Sequence, residues 1–199
     1  MVVLSHLLLN LFKDCYAAEM IPIRLLISIA VVSAIMLMVF FGFLNLKVAL
    51  AEKQIENDCR ALESKIHTMS SSGVTRDVDE IGAGDGTKRT QNFDLPDSIV
   101  FLSFGVDADE DNDGVLETGL TENGAVIYYK VDGGSKKVMW LDEDFRFREG
   151  KKDNGRWGIN GFGEGFILQN PGESMLSFEF VEKNSKTYIL IHSNDGIES

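Results

Sequence analysis

The sequence predicts an α+β protein. One long N-terminal helix is membrane-spanning in its first half and amphipathic in its second, and it packs against an antiparallel β-sheet domain. Three observations predict this. Leu25 to Leu46, "LLISIAVVSAIMLMVFFGFLNL", is a run of 22 residues with no charge. Ile55, Cys59, Leu62, Ile66 and Met69 recur at helical spacing just beyond it. From Phe93 onward, short β-rich apolar segments alternate with turn residues.

As a helix the apolar run is ~33 Å long at 1.5 Å per residue, enough for a hydrocarbon core of ~30 Å. Pro22 suits a first helical turn, where its missing N–H is no loss, and Arg24 can reach outward from the end of the span. A buried core helix is one competing reading, against which stands size, since so small a domain cannot surround the run. A cleaved secretory signal is the rival reading. Ala49-Leu50-Ala51 would be its cleavage site, although the run exceeds the ~7–15 apolar residues of such signals. Residues 1–12, "MVVLSHLLLNLF", are too short to span and read either as a short leader or as an extended start.

The helical pattern continues to Met69, with Glu52, Lys53, Glu56, Asp58, Arg60, Glu63 and Lys65 on its other faces. "SSSGV" ends it, with Gly73 suited to the position after the last helical residue. The domain plan is therefore a leader and charged junction (1–19), a transmembrane and amphipathic helix (20–72), a linker loop (73–92) and a β-rich domain (93–199). The linker is polar and glycine-rich. Its "GDGTK" lacks the order of a phosphate-binding loop, because Thr87 separates Gly86 from Lys88.

In the last segment "SIVFLSFGV", "AVIYYKV", "KKVMWL", "GFILQN", "SMLSFEFVE" and "KTYILIHS" read as strands. "DGGS" and the turn at Asn184 supply hairpin connections. Met175, Leu176, Phe178, Phe180, Tyr188, Ile189, Leu190 and Ile191 are the expected core. Six or seven such strands give an antiparallel sheet with one buried face, and the helix stripe is its natural cover.

Charge divides the chain as hydropathy does. Residues 1–46 balance Lys13 and Arg24 against Asp14 and Glu19, so the remainder carries the whole formal charge of −12. That excess argues against nucleic-acid binding, which needs Lys and Arg to displace counterions from phosphate, and against docking on an anionic membrane surface. Cys15 and Cys59 flank the apolar run and form no zinc spacing or disulfide framework.

"VDADEDNDGVLETG", Val106 to Gly119, lies between two predicted strands. Asp109, Asp111 and Asp113 alternate, Gly114 follows, and Glu117 stands ninth counting Asp109 as first. The order is similar to the D-x-D-x-D-G-x-x-[DE] calcium loops of integrin-like, dockerin-like and EF-hand proteins. Calcium takes ~6–8 oxygens, and alternating carboxylates around a turn direct several to one centre. The ligand set is Asp109, Asp111, Asp113, the Val115 carbonyl and Glu117. Leu120 stands where an EF-hand has its closing glutamate, with Asp107, Glu122 or water as substitutes. The expected site is weak, in the ~10⁻⁴–10⁻³ M range of extracellular modules. The competing reading is a solvated acidic turn.

No catalytic constellation emerges. His6, His67 and His192 fall in no Ser-His-Asp or Cys-His motif, and Cys59 belongs to the helix stripe. Asp142, Glu143 and Asp144 read as a turn. Trp140 and Trp157 read as core or sheet-face residues, a sugar-binding face being the alternative.

"KDCYAAEMIPIRLLISIAVVSAI" followed by the amphipathic stripe resembles the N-terminal helix of archaeal type IV pilin-like proteins, including pilin-like membrane proteins of methanogens. The resemblance implies a leader removed before assembly, a helix that anchors in the membrane or packs in a filament core, and a β domain outside the cell. If processing falls after Asp14, Glu19 becomes the fifth mature residue, the position whose glutamate in pilins pairs with a neighbour's N-terminal amine. Asp14 departs from the small residue, usually glycine, that normally precedes the cleavage site. The implied partners are the membrane and like subunits. A monomeric, membrane-anchored ligand-binding or sensory module is the alternative function, and an exported enzyme a third. The positive-inside rule, applied to Lys47, Lys53, Arg60 and Lys65 against Lys13 and Arg24, puts the β domain in the cytoplasm; the resemblance and the acidic loop put it outside.

Overall fold

The computed structural model describes residues 2–80, 82, 84–117, 124–142, 144–153, 155–159 and 165–193, with side chains from residue 22 onward apart from residue 153. It divides into two units, Met1–Lys47 and Val48–Ser199.

A single helix, α1, is assigned to Val2–Ser72, with Pro22 inside it rather than in its first turn. Proline removes one backbone donor from the helical ladder, an interruption that membrane helices tolerate when neighbouring groups compensate. In the first unit every side chain from Pro22 to Leu46 is exposed, including Leu26, Ile35, Met38 and Phe41. The segment is long and apolar enough to cross a membrane. Water would not leave such a surface uncovered, so lipid or other apolar helices are the environments that suit it.

In the second unit the same helix changes character. Ile55, Cys59, Leu62, Ile66 and Met69 are completely buried, and the faces between them stay wet. Gly73 ends the helix, its N–H donating to the Met69 carbonyl at 2.8 Å. Among the described residues ten strands follow: β1 (Arg76–Asp77), β2 (Lys88–Leu95), β3 (Ile99–Phe104), β4 (Val126–Val131), β5 (Lys137–Trp140), β6 (Arg146–Asp153), β7 (Arg156–Ile159), β8 (Phe166–Leu168), β9 (Gly172–Lys183) and β10 (Lys186–Ser193). A four-stranded antiparallel sheet runs β5-β4-β3-β8, and a six-stranded sheet runs β1-β9-β10-β6-β7 with β2 also on β9.

The expected all-antiparallel sheet is therefore corrected to a mixed one. β1 pairs parallel with β9, and β6 pairs parallel with β10. The reason is an edge that needs filling. One side of β10 is taken by its hairpin partner β9, and β6 returns from the other sheet to satisfy the second side in the same direction. The expected linker 73–92 also holds β1 and the first five residues of β2, Lys88 to Asn92. β2 is an edge strand whose inward residues Gln91, Phe93 and Leu95 alternate with exposed polar ones, so its polar half reads as loop.

The two β9–β10 turn residues, Asn184 and Ser185, have φ of 51° and 58°, the left-handed pair a two-residue hairpin requires. Leu176, Phe178, Phe180, Ile189 and Ile191 join Phe93, Phe104, Phe147 and the helix stripe in one core. Met175, expected there, is 47% exposed because it points to the opposite sheet face from Leu176. Polar ties hold the helix to the strands. Gln54 donates to the Asp94 carbonyl at 2.6 Å, Lys65 donates to the Thr90 carbonyl at 2.7 Å, and Asp58 accepts the Asp94 N–H at 3.1 Å.

Candidate functional site

The acidic loop leaves β3 through Gly105, whose φ of 77° and close approach to Phe147 exclude a side chain. It returns at β4, the antiparallel partner of β3. The alternating aspartates have a local purpose. Asp107, Asp111 and Asp113 each accept the N–H two residues on, from Asp109, Asp113 and Val115 respectively. Successive turns of this kind curl the chain, and Asn112 and Gly114 take left-handed backbone conformations within the curl.

The result gathers Asp109, Asp111 and Asp113, each with one carboxylate oxygen within 4.8 Å of the others, so the cluster could hold a metal ion. Glu117 is not in the group; its N–H donates to the Ala108 carbonyl at 3.0 Å. Val115 donates its N–H to Asp113 and leaves its side chain exposed. Leu120 and Glu122 lie outside the described residues, as do the side chain of Glu19 and the residue Glu143.

Two lysines, not singled out in the sequence, enter the loop from β4 and the β4–β5 turn. Lys130 pairs with Asp109 at 2.7 Å, and Lys136 pairs with Asp107 at 2.7 Å while donating to the Asp109 carbonyl at 2.6 Å. Asp109 is completely buried. The Lys130 bond, with the Gly114 N–H at 3.2 Å, holds its carboxyl below the usual carboxylate range against the opposing effect of burial. The loop thus carries internal counter-charge for Asp109 and Asp107, while Asp111 and Asp113 stay exposed. A bound cation would find three oxygens and a lysine close by, an arrangement suited to weak binding.

A second polar centre lies on the face of the six-stranded sheet opposite the core. Arg76 donates to both oxygens of Glu179, at 2.8 and 3.2 Å, and to the Trp157 carbonyl at 2.7 Å. Both charged side chains are buried. Glu179 also accepts the Gly86 N–H at 3.3 Å, and a Cβ on Gly86 would lie 2.1 Å from the Phe180 carbonyl oxygen. Trp157 stacks on His192, with centroids 4.0 Å apart and planes at 14°. His192 is buried, its Nδ1 has no hydrogen-bond partner, and desolvation pulls its pKa below the ordinary value.

The sequence pattern did not reveal this centre, because Arg76 and Glu179 are 103 residues apart. The one local signal was a glutamate in an apolar strand, "SFEFV". Trp140 is an exposed sheet-face residue, and Cys59 is a core residue whose thiol burial pushes up.

No family model, curated protein or solved structure matches the chain.

Proposed function

We propose that the protein is a non-enzymatic, single-pass, membrane-anchored surface protein of the type IV pilin-like kind, with its acidic β domain outside the cell. One observation carries this reading. A single helix is exposed and apolar on all sides from Leu25 to Leu46, yet buries only a stripe from Ala51 to Met69. A helix built that way serves two solvents, lipid or like helices first and a water-facing domain second. Glu19, ahead of the apolar run, is the residue that would pair with a neighbouring subunit's amine, since a carboxylate at the edge of lipid needs a partner.

The test is N-terminal sequencing of the membrane-purified protein. A mature terminus near Cys15 supports processing and assembly. An intact Met1, or a start at Met20, overturns the filament role.

The acidic loop is proposed as a weak structural calcium site, with Asp109, Asp111 and Asp113 as carboxylate ligands, joined by the Val115 carbonyl and Glu117. Thermal melting separates this from a bare turn. Millimolar calcium should raise the melting temperature of the wild type but not of Asp111→Asn. Asp109→Asn should lower it even without calcium, because Lys130 loses its buried partner. No calcium effect on the wild type removes the metal from the account.

A further inference from the structure

The β6–β7 hairpin and β1 line an open cavity of 530 Å³ whose walls include Lys151, Lys152, Arg156, Lys183, Trp157 and Ile159. A second cavity, of 240 Å³, shares Arg76, Lys152, Arg156 and Trp157 with it, so the two form one cleft. We propose that this cleft binds a small organic anion that carries a ring, its carboxylate or phosphate held by Lys152 and its neighbours and its ring laid against Trp157. The proposal is independent of anchoring and of filament assembly.

Charge is the first argument. The chain carries −12 overall, yet four cations line the larger cavity in addition to Arg76. Glu179 is taken by Arg76 at 2.8 Å and Asp85 by Lys88 at 2.9 Å, while Asp79, 3.8 Å from Lys183, offsets that one cation of the cleft. Arg156 reaches the Glu80 carbonyl at 3.4 Å, which aims it along the wall. Among the described side chains neither Lys151 nor Lys152 has a carboxylate within ion-pair distance. Successive strand residues alternate between faces, and Lys152 is the cross-strand partner of Trp157, so an anion held by Lys152 lies beside the indole.

Preorganisation is the second. Arg76 pins the Trp157 backbone through its carbonyl, and His192 backs the indole. A wall fixed in advance loses little freedom on binding. Trp157 and Ile159 supply an apolar surface beside the cations, the mixture that small-molecule sites use, and the larger cavity falls in their size range. A simple inorganic anion would leave that surface unused.

Calorimetric titration of the full chain in neutral detergent at low salt tests this, with glucuronate, phenyl phosphate, glucose and inorganic phosphate as probes. Glucuronate, phenyl phosphate or both should bind one per chain with Kd below about 1 mM. Which one binds identifies the acid group. Glucose should not bind, and inorganic phosphate should bind at least about tenfold more weakly than the ring-bearing anion. Lys152→Glu should abolish binding while leaving the melting temperature unchanged, because this side chain is exposed. Lys151→Gln should weaken binding, and Trp157→Ala should remove the advantage of the ring. The proposal is overturned if neither ring-bearing anion binds up to about 10 mM, if inorganic phosphate binds equally well, or if Lys152→Glu leaves affinity intact.

Discussion

The two halves of α1 are built from similar apolar residues and put them to opposite uses. From Ile23 to Leu46 leucine, isoleucine, valine and phenylalanine point in every direction and no described side chain of the unit covers them. From Ala51 to Met69 the apolar residues are confined to one stripe, and that stripe is among the most buried surface of the molecule. Distribution around the axis, more than hydrophobicity itself, decides whether a helix seeks lipid or a sheet. Substitutions that treat the halves alike should therefore give unlike results.

The largest effect is expected in the stripe. Leu62→Ala should cost about 2–5 kcal/mol, as a buried leucine does when it leaves a cavity, and thermal melting of the β domain should register it. Leu37→Ala, on the exposed half, should leave that melt unmoved. Next comes Leu37→Arg, which places a charge mid-span at a cost of about 2.5–3.5 kcal/mol to insertion. The carbonate-resistant fraction should fall while the melt of the β domain stays constant. If Leu37→Arg unfolds the domain, the two halves do not play separate roles.

Within the β domain, Gly86→Ala should destabilise by about 1–3 kcal/mol through overpacking, since its Cβ would collide with the Phe180 carbonyl. Chemical denaturation would measure it. The smallest effect is a pH dependence. Burial lowers the pKa of His192, with Lys88 acting in the same direction and Glu179 opposing. Its folded pKa lies below the unfolded one, so its contribution is complete above pH ~6.5 and is lost as pH falls through the folded value. Melting between pH 7 and 5 should show the decline, and His192→Phe should flatten it.

Much of this organisation is legible in the sequence, for physical reasons. The uncharged run and the stripe are periodic and local, and both halves of α1 follow from them. Hairpin strands such as β4, β5, β9 and β10 announce themselves by apolar runs and turn residues. β6, "RFREGKKD", does not, because its outer half is charged and its first half pairs with β10, 42 residues on in sequence (Arg146 with Tyr188). β1 is two residues long and is anchored by the Arg76–Glu179 pair, which no local window contains. The three aspartates of the acidic loop are visible as a motif, whereas Lys130 and Lys136 look like ordinary strand and turn lysines. D-x-D spacing also serves simple turn formation, so the pattern alone does not separate a metal loop from a curled one.

The most direct test is lysine labelling of cells that express the chain, using a membrane-impermeant amine reagent with mass-spectrometric readout. Lys151, Lys152 and Lys186 are exposed on the β domain. The account predicts that they label on intact cells, with the protein retained in carbonate-washed membranes. Labelling only after lysis, or release of the protein by carbonate, would contradict an anchored domain that faces outward.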